Sequence, residues 1–205
     1  METVNQAFRI ALGDLYGNIS LFQDGLLKEP VPVILAGLEY DTPWTRDAAI
    51  NVWNGASLLF PEESRNTLLS VLTGQEGQVK IGGQYWDAII WAAGAWQYYV
   101  TCGDREFLSL ARQAVVNSLY WFEEREYDSG RQLFSGAACY GDGISAYGDE
   151  FSDSNPGESG IDHWPAANPD KCASQKGGVG IPMYTLSTNC LYFLAYQLAD
   201  DMARE

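Results

Sequence analysis

One histidine, His163, and four cysteines, Cys102, Cys139, Cys172 and Cys190, are all the imidazole and thiol ligands that a chain of 205 residues offers a metal. A single imidazole excludes a His-based zinc site. The four thiols show no C-x-x-C spacing and no dense framework, so they read as small packed hydrophobes and not as a disulfide scaffold. Positive charge is scarce too: 12 Lys+Arg stand against 27 Asp+Glu, a net charge of −15. Such a field repels phosphate backbones, which excludes nucleic acid as a partner and leaves a neutral ligand such as a sugar compatible. No run approaches the ~20 uninterrupted apolar residues of a membrane helix. Neither a metal nor another cofactor is expected. Glu2 to Gln6 supply no basic or apolar leader, so the expected location is the cytoplasm, with no signal peptide. What is plentiful is apolar surface: 46% hydrophobic and 13% aromatic residues provide the core of one domain and exclude disorder.

Turn and breaker signals predict six helices and almost no strands. They cover about 4–16, 45–60, 61–73, 84–101, 104–126 and 185–204. Pro61-Glu62-Glu63 opens the third with proline in the first turn and acids at the positive dipole end. Asp104 caps the fifth. The chain closes on Asp-Asp-Met-Ala-Arg-Glu, which reads as the tail of a helix.

Two kinds of helix alternate in this list. The fifth carries Phe107, Leu108, Ala111, Val115, Leu119 and Phe122 on one face and charge on the other, as a surface helix does. The third is similar. The fourth, from Tyr85 through Trp86, Trp91 and Trp96 to Val100, has Asp87 as its only charge and is apolar all round. The second is uncharged beyond Arg46 and Asp47. Helices of that kind are expected in the interior. Outer, inner, outer, inner is the order of an all-α α/α toroid built from helical hairpins. The long links, about 17–44, 74–83 and 127–184, all fall at the N-terminal ends of the inner helices. Long loops on one rim of a rigid scaffold are where a pocket belongs.

Three clusters on that rim could carry chemistry. In Trp44-Thr45-Arg46-Asp47 a carboxylate can accept from vicinal sugar hydroxyls while a guanidinium donates in a fixed fork. The same pair also fits a capping Asp with a neighbouring ion pair. In Tyr85-Trp86-Asp87 through Trp91, indole faces can stack on the apolar side of a pyranose. Core packing explains the deeper aromatics, but a buried Asp87 needs a partner. The third cluster is Ser135 to Tyr147, where Asp142 lies between Gly141 and Gly143. Under an aromatic lid that carboxyl could donate a proton to a glycosidic oxygen; local sequence by itself favours a simple Asp142-Gly143 turn. Gly177-Gly178-Val179-Gly180 follows no predicted strand and precedes no lysine at the spacing of a phosphate-binding loop, so it is discounted as a phosphate cradle.

Taken together, Pro43-Trp44-Thr45-Arg46-Asp47-Ala48-Ala49, Tyr85-Trp86-Asp87, Leu133-Phe134-Ser135-Gly136, Asp142-Gly143-Ile144-Ser145-Ala146-Tyr147 and Leu186-Ser187-Thr188-Asn189 resemble the six-hairpin glycosidases. These are the (α/α)6-barrel enzymes that include glucoamylase, trehalase and processing α-glucosidase. The resemblance spans about residues 5–204. It implies an α-glucosidase-like, inverting hydrolase, with Trp44, Arg46, Asp47, Trp86, Asp87 and Trp91 lining the −1 sugar subsite and Asp142 as general acid. Inversion needs a second carboxylate as base, ~6.5–9.5 Å away, and in those families it comes from the last of six hairpins. Residues 1–205 supply three. The resemblance therefore implies a partial catalytic domain, inactive alone, whose substrate is an oligosaccharide or glucoside and whose partner is a missing C-terminal half or a second chain. The rival reading is a non-catalytic carbohydrate-binding or structural half-barrel.

Overall fold

The structure, a computed structural model, describes residues 2–74, 78–83, 86–140, 147–151, 160–172 and 178–205, with the side chains of 160 and 162 left aside. Asp142 and Tyr85 lie outside the described residues, as does the segment Asp153 to Glu158. Helices dominate. Helix α1 (Glu2–Gly17) leads into a hairpin of β1 (Ile19–Phe22) and β2 (Val31–Ile34), antiparallel with Ile19 opposite Ile34. Helix α2 (Thr45–Asn51) runs through a π-helical turn at Val52–Ala56 into α3 (Ser57–Leu59). Next come α4 (Pro61–Ser70), the hairpin of β3 (Leu72–Thr73) and β4 (Lys80–Ile81), and α5 (Trp91–Cys102), entered through a 3-10 turn at Ala88–Ile90. Helix α6 (Arg105–Glu126) is followed by a third hairpin, β5 (Tyr127–Asp128) with β6 (Leu133–Phe134), then α7 (Gly160–Ala167) and α8 (Leu186–Arg204).

The three hairpins correct the expectation of almost no strands. Each strand is only two to four residues long, too short for a period-2 pattern to declare itself. The second predicted helix also differs. Gly55 adopts φ 141°, which breaks the helix into its π turn, and Trp53, Leu58 and Leu59 are exposed, so this helix is not buried all round.

Local signals account for the other boundaries. The Asp104 carboxylate accepts from the Phe107 N–H at 2.9 Å and caps α6. Gly103, at φ 69°, closes α5 in the left-handed conformation that glycine tolerates best. Helix α5 is the centre of the molecule. It packs on α2, α4, α6 and α8, and Trp91, Ala92 and Ala95 in it are fully or almost fully buried. Its approach to α2 is so close that a Cβ on Gly94 would stand 2.8 Å from Ala49 Cα and O, so only glycine fits. On its other flank Trp91, Tyr98 and Phe107 interlock, with Tyr98 edge-on to Phe107 at 4.8 Å. A smaller cluster of Trp86, Ala137, Ile161, Trp164 and Ile181 ties the 135–140 segment and α7 to the start of α5.

A buried ion pair at the candidate sugar site

Arg46 stands in the first turn of α2 and Asp87 just before the 3-10 turn that opens α5. The close packing of those two helices brings both ends together. Arg46 Nη1 lies 3.2 Å from Asp87 Oδ2, with the two side chains 10% and 1% exposed. Thr45 Oγ1 donates to the Gly82 carbonyl at 2.8 Å and pins the entry to α2 against the β4 turn. The 137–140 segment closes over the pair. The Tyr140 N–H donates to Asp87 Oδ2 at 3.2 Å, and the Arg46 guanidinium lies over the Tyr140 ring, 4.6 Å from its centroid. Trp86 Nε1 donates to the Ala138 carbonyl at 3.3 Å. From α8, Ser187 Oγ accepts from the Cys139 N–H, while Thr185 and Thr188 donate to the Ala137 carbonyl.

Asp47, one residue beyond Arg46, is near enough for its charge to be felt at Tyr140. The Tyr140 phenol is raised above its ordinary pKa by burial first, then by Cys139, Asp47 and Asp87, with Arg46 opposing. Asp87 is fully buried, and its Oδ1 has no hydrogen-bond partner among the described residues. A buried carboxylate oxygen in that state is costly unless something donates to it. The backbone adds a second mark. Trp44 and Tyr140, both bulky, sit at φ 46° and 61°, a left-handed region that side chains avoid and that clusters at functional sites.

The sequence-predicted residues thus divide. Arg46 and Asp87 come together, Asp47 acts on the same place through its charge, and Tyr140 and Cys139 join them although neither was singled out. Trp86 lies at their edge. Its 7% exposed ring borders a cleft of about 280 Å³ running past Gly82, Gly83, Lys80, Trp121 and Glu126. Trp44 lines a neighbouring pocket of about 250 Å³ with Phe22, Asp24 and Val71, and the two share Thr73, Gly82 and Gly83 as a common wall. Trp91 corrects the sequence reading. It is completely buried, its indole N–H donates to the Leu68 carbonyl at 3.1 Å, and it is core and not pocket lining. One turn of helix separates Trp86 from Trp91, and periodicity alone does not say which of them turns outward.

Glu126 was missed. In the run Glu123-Glu124-Arg125-Glu126 it reads as one more solvated charge, yet it is only 7% exposed. Its Oε2 accepts from Ser135 Oγ at 2.8 Å and from the Gly180 N–H at 3.0 Å, and its Oε1 accepts from the Val179 N–H. A Cβ on Gly178 would come within 2.4 Å of Oε1. The glycine run is an anion cradle after all, and its anion is the chain's own carboxylate. This clasp holds residues 178–180 against the end of α6.

The cysteines give a check on the electrostatics. Burial, and then the Asp87 charge, push the Cys139 thiol up to about 12. A raised thiol pKa means less thiolate at a given pH, here roughly a thousandfold less than an ordinary cysteine at pH 8. Iodoacetamide at pH 8 is therefore expected to modify exposed Cys190 while Cys139 stays intact in the folded chain, as read by peptide mass mapping. Equal labelling of both would mean that the Asp87 environment is open.

Compared with family models, with curated proteins and with solved structures, the chain has no match.

Proposed function

We propose that this chain binds a glucoside at the Arg46–Asp87 cluster and is the N-terminal half of an inverting, α-glucosidase-like glycoside hydrolase with an α/α-toroid architecture. The carrying observation is the meeting of Arg46 and Asp87 from two helix starts 41 residues apart, under Tyr140, with one Asp87 oxygen lacking a donor among the described residues. A sugar hydroxyl is the donor that a buried carboxylate beside a guanidinium suits, since its O–H can donate to the carboxylate while its oxygen accepts from the guanidinium. The aromatic surroundings match the apolar C–H faces of a pyranose.

The architecture is supported by the packing order. Helix α5 touches both α2 and α8, while α4 bridges α2 and α5 and α6 bridges α5 and α8. An inner row of three with an outer helix over each junction, as in a toroid of hairpins, would give these contacts. In this reading Asp142, two residues beyond Tyr140, is the general acid that protonates the leaving oxygen. Water on the opposite face of the sugar requires a base, which a further set of hairpins would bring.

Two measurements on the purified chain test this. Calorimetric titration with maltose and trehalose should give weak saturable binding, lost in Asp87→Asn. Hydrolysis of the same glucosides should be absent or marginal. Robust turnover by the monomer, abolished by changing a carboxylate within it, contradicts the half-enzyme reading; absence of any sugar binding by the folded chain contradicts the site.

A further inference from the structure

The cleft beside Trp86 has a feature the sugar cluster does not use. Lys80, from β4, lines both that cleft and a second cavity of about 320 Å³ that it shares with Trp121 and that includes Gln78, Asn117 and Glu124. These two side chains line both cavities, each close to the lower end of the size range of small-molecule sites, roughly 300–1,000 Å³. The Lys80 ammonium lies over the Trp121 ring, 5.3 Å from its centroid, and makes no hydrogen bond or ion pair among the described residues.

Among the described residues, the carboxylates that line these cavities are held by other partners. Glu126 has both oxygens in the clasp on Ser135, Val179 and Gly180. Glu124 is held by Arg125, whose guanidinium stacks on the same Trp121 at 4.5 Å. In a chain where acids outnumber bases 27 to 12, a half-buried lysine that none of these acids neutralises stands out. Positive charge in a concave, aromatic-walled site suits an anion, and the stacked Arg125 adds to the local field.

We infer that the Lys80–Trp121 cleft is a second binding site, taking a carboxylate-bearing sugar: the carboxylate meets the Lys80 ammonium, and the ring lies along the Trp86 and Phe122 side of the cleft. The sugar half of this inference rests on the saccharide reading of the Arg46–Asp87 cluster, which adjoins the cleft at Trp86; the anion half does not. A neutral hexose finds no counterpart for Lys80 and is expected to bind here more weakly than its uronic acid.

Calorimetric titration of the full chain with sodium glucuronate, glucose and sodium acetate tests it. Glucuronate is expected to bind more tightly than acetate. Lys80→Met should weaken glucuronate about tenfold, the effect of one charge-assisted hydrogen bond, while Lys80→Arg retains most of the affinity. Added salt should weaken glucuronate binding and leave glucose unchanged. Glucuronate affinity that ignores Lys80→Met, or acetate that binds as well as glucuronate, overturns the proposal, as does a folded chain that binds no glucuronate. Failure of the neighbouring site shows separately, as loss of glucose binding while glucuronate keeps its dependence on Lys80.

Discussion

Arg46→Met lowers the stability of the fold by about 3–5 kcal/mol, because it leaves the fully buried Asp87 carboxylate without its counter-charge. For a chain of this size that is a fall of roughly 6–20 °C in Tm, readable by calorimetry or by circular dichroism on heating. The companion variant fixes the cause. Arg46→Met with Asp87→Leu should lose less than the two single changes summed, since an apolar pair no longer strands a charge. The double variant still deprives the Tyr140 N–H of its acceptor, so full recovery is not expected. A single Arg46→Met with unchanged Tm would mean that the pair is solvated and that the buried geometry at the rim is wrong.

Trp91→Ala is the second large effect, expected at about 3–5 kcal/mol, the range for deleting a fully buried large aromatic. The indole fills space between α4 and α6, against Leu68 and Phe107. Part of the loss is the donor to the Leu68 carbonyl, and Trp91→Phe isolates that part at about 1–3 kcal/mol for a stranded buried acceptor. The conservative variant should bind glucosides as the parent does. That outcome separates core from pocket: a Trp91→Phe chain that folds normally but loses sugar affinity would restore Trp91 to the site.

These two tryptophan and arginine positions also show where sequence reasoning reaches and where it stops. Helix α6 was legible from end to end, because Asp104 announces its start and a clean amphipathic stripe runs to Phe122. Helix α8 was legible as the run after the long loop, from about Thr185 to Arg204, although Thr185 does not cap it with its side chain. The bend at Gly55 was not: glycine inside an apolar run fits a continuous helix as well as a π turn. The β1–β2, β3–β4 and β5–β6 hairpins escaped because strands of two to four residues carry no period.

The site divides along the same line. Arg46 was found as half of an Arg-Asp fork beside Trp44 and Asp87 as a charge in an apolar helix that needs a partner; each is the other's partner. Glu126 was hidden in a run of exposed-looking acids; the signal that could have found it was the glycine run at 178–180, whose N–H groups hold its carboxylate. Tyr140 and Cys139 were hidden because their place beside Asp87 comes from tertiary contacts of the 137–140 segment with Trp86 and α8, which no local pattern encodes.

The account turns on whether the buried Arg46–Asp87 pair exists to hold a sugar. The direct measurement is proton–nitrogen correlation NMR of the labelled chain titrated with maltose. The account predicts saturable shifts at the Tyr140 amide, which donates to Asp87, and at the Trp86 indole, with the Trp91 indole unmoved and all shifts abolished in a folded Asp87→Asn chain. Shifts that survive Asp87→Asn, or that appear at Trp91 and not at Tyr140, would contradict it.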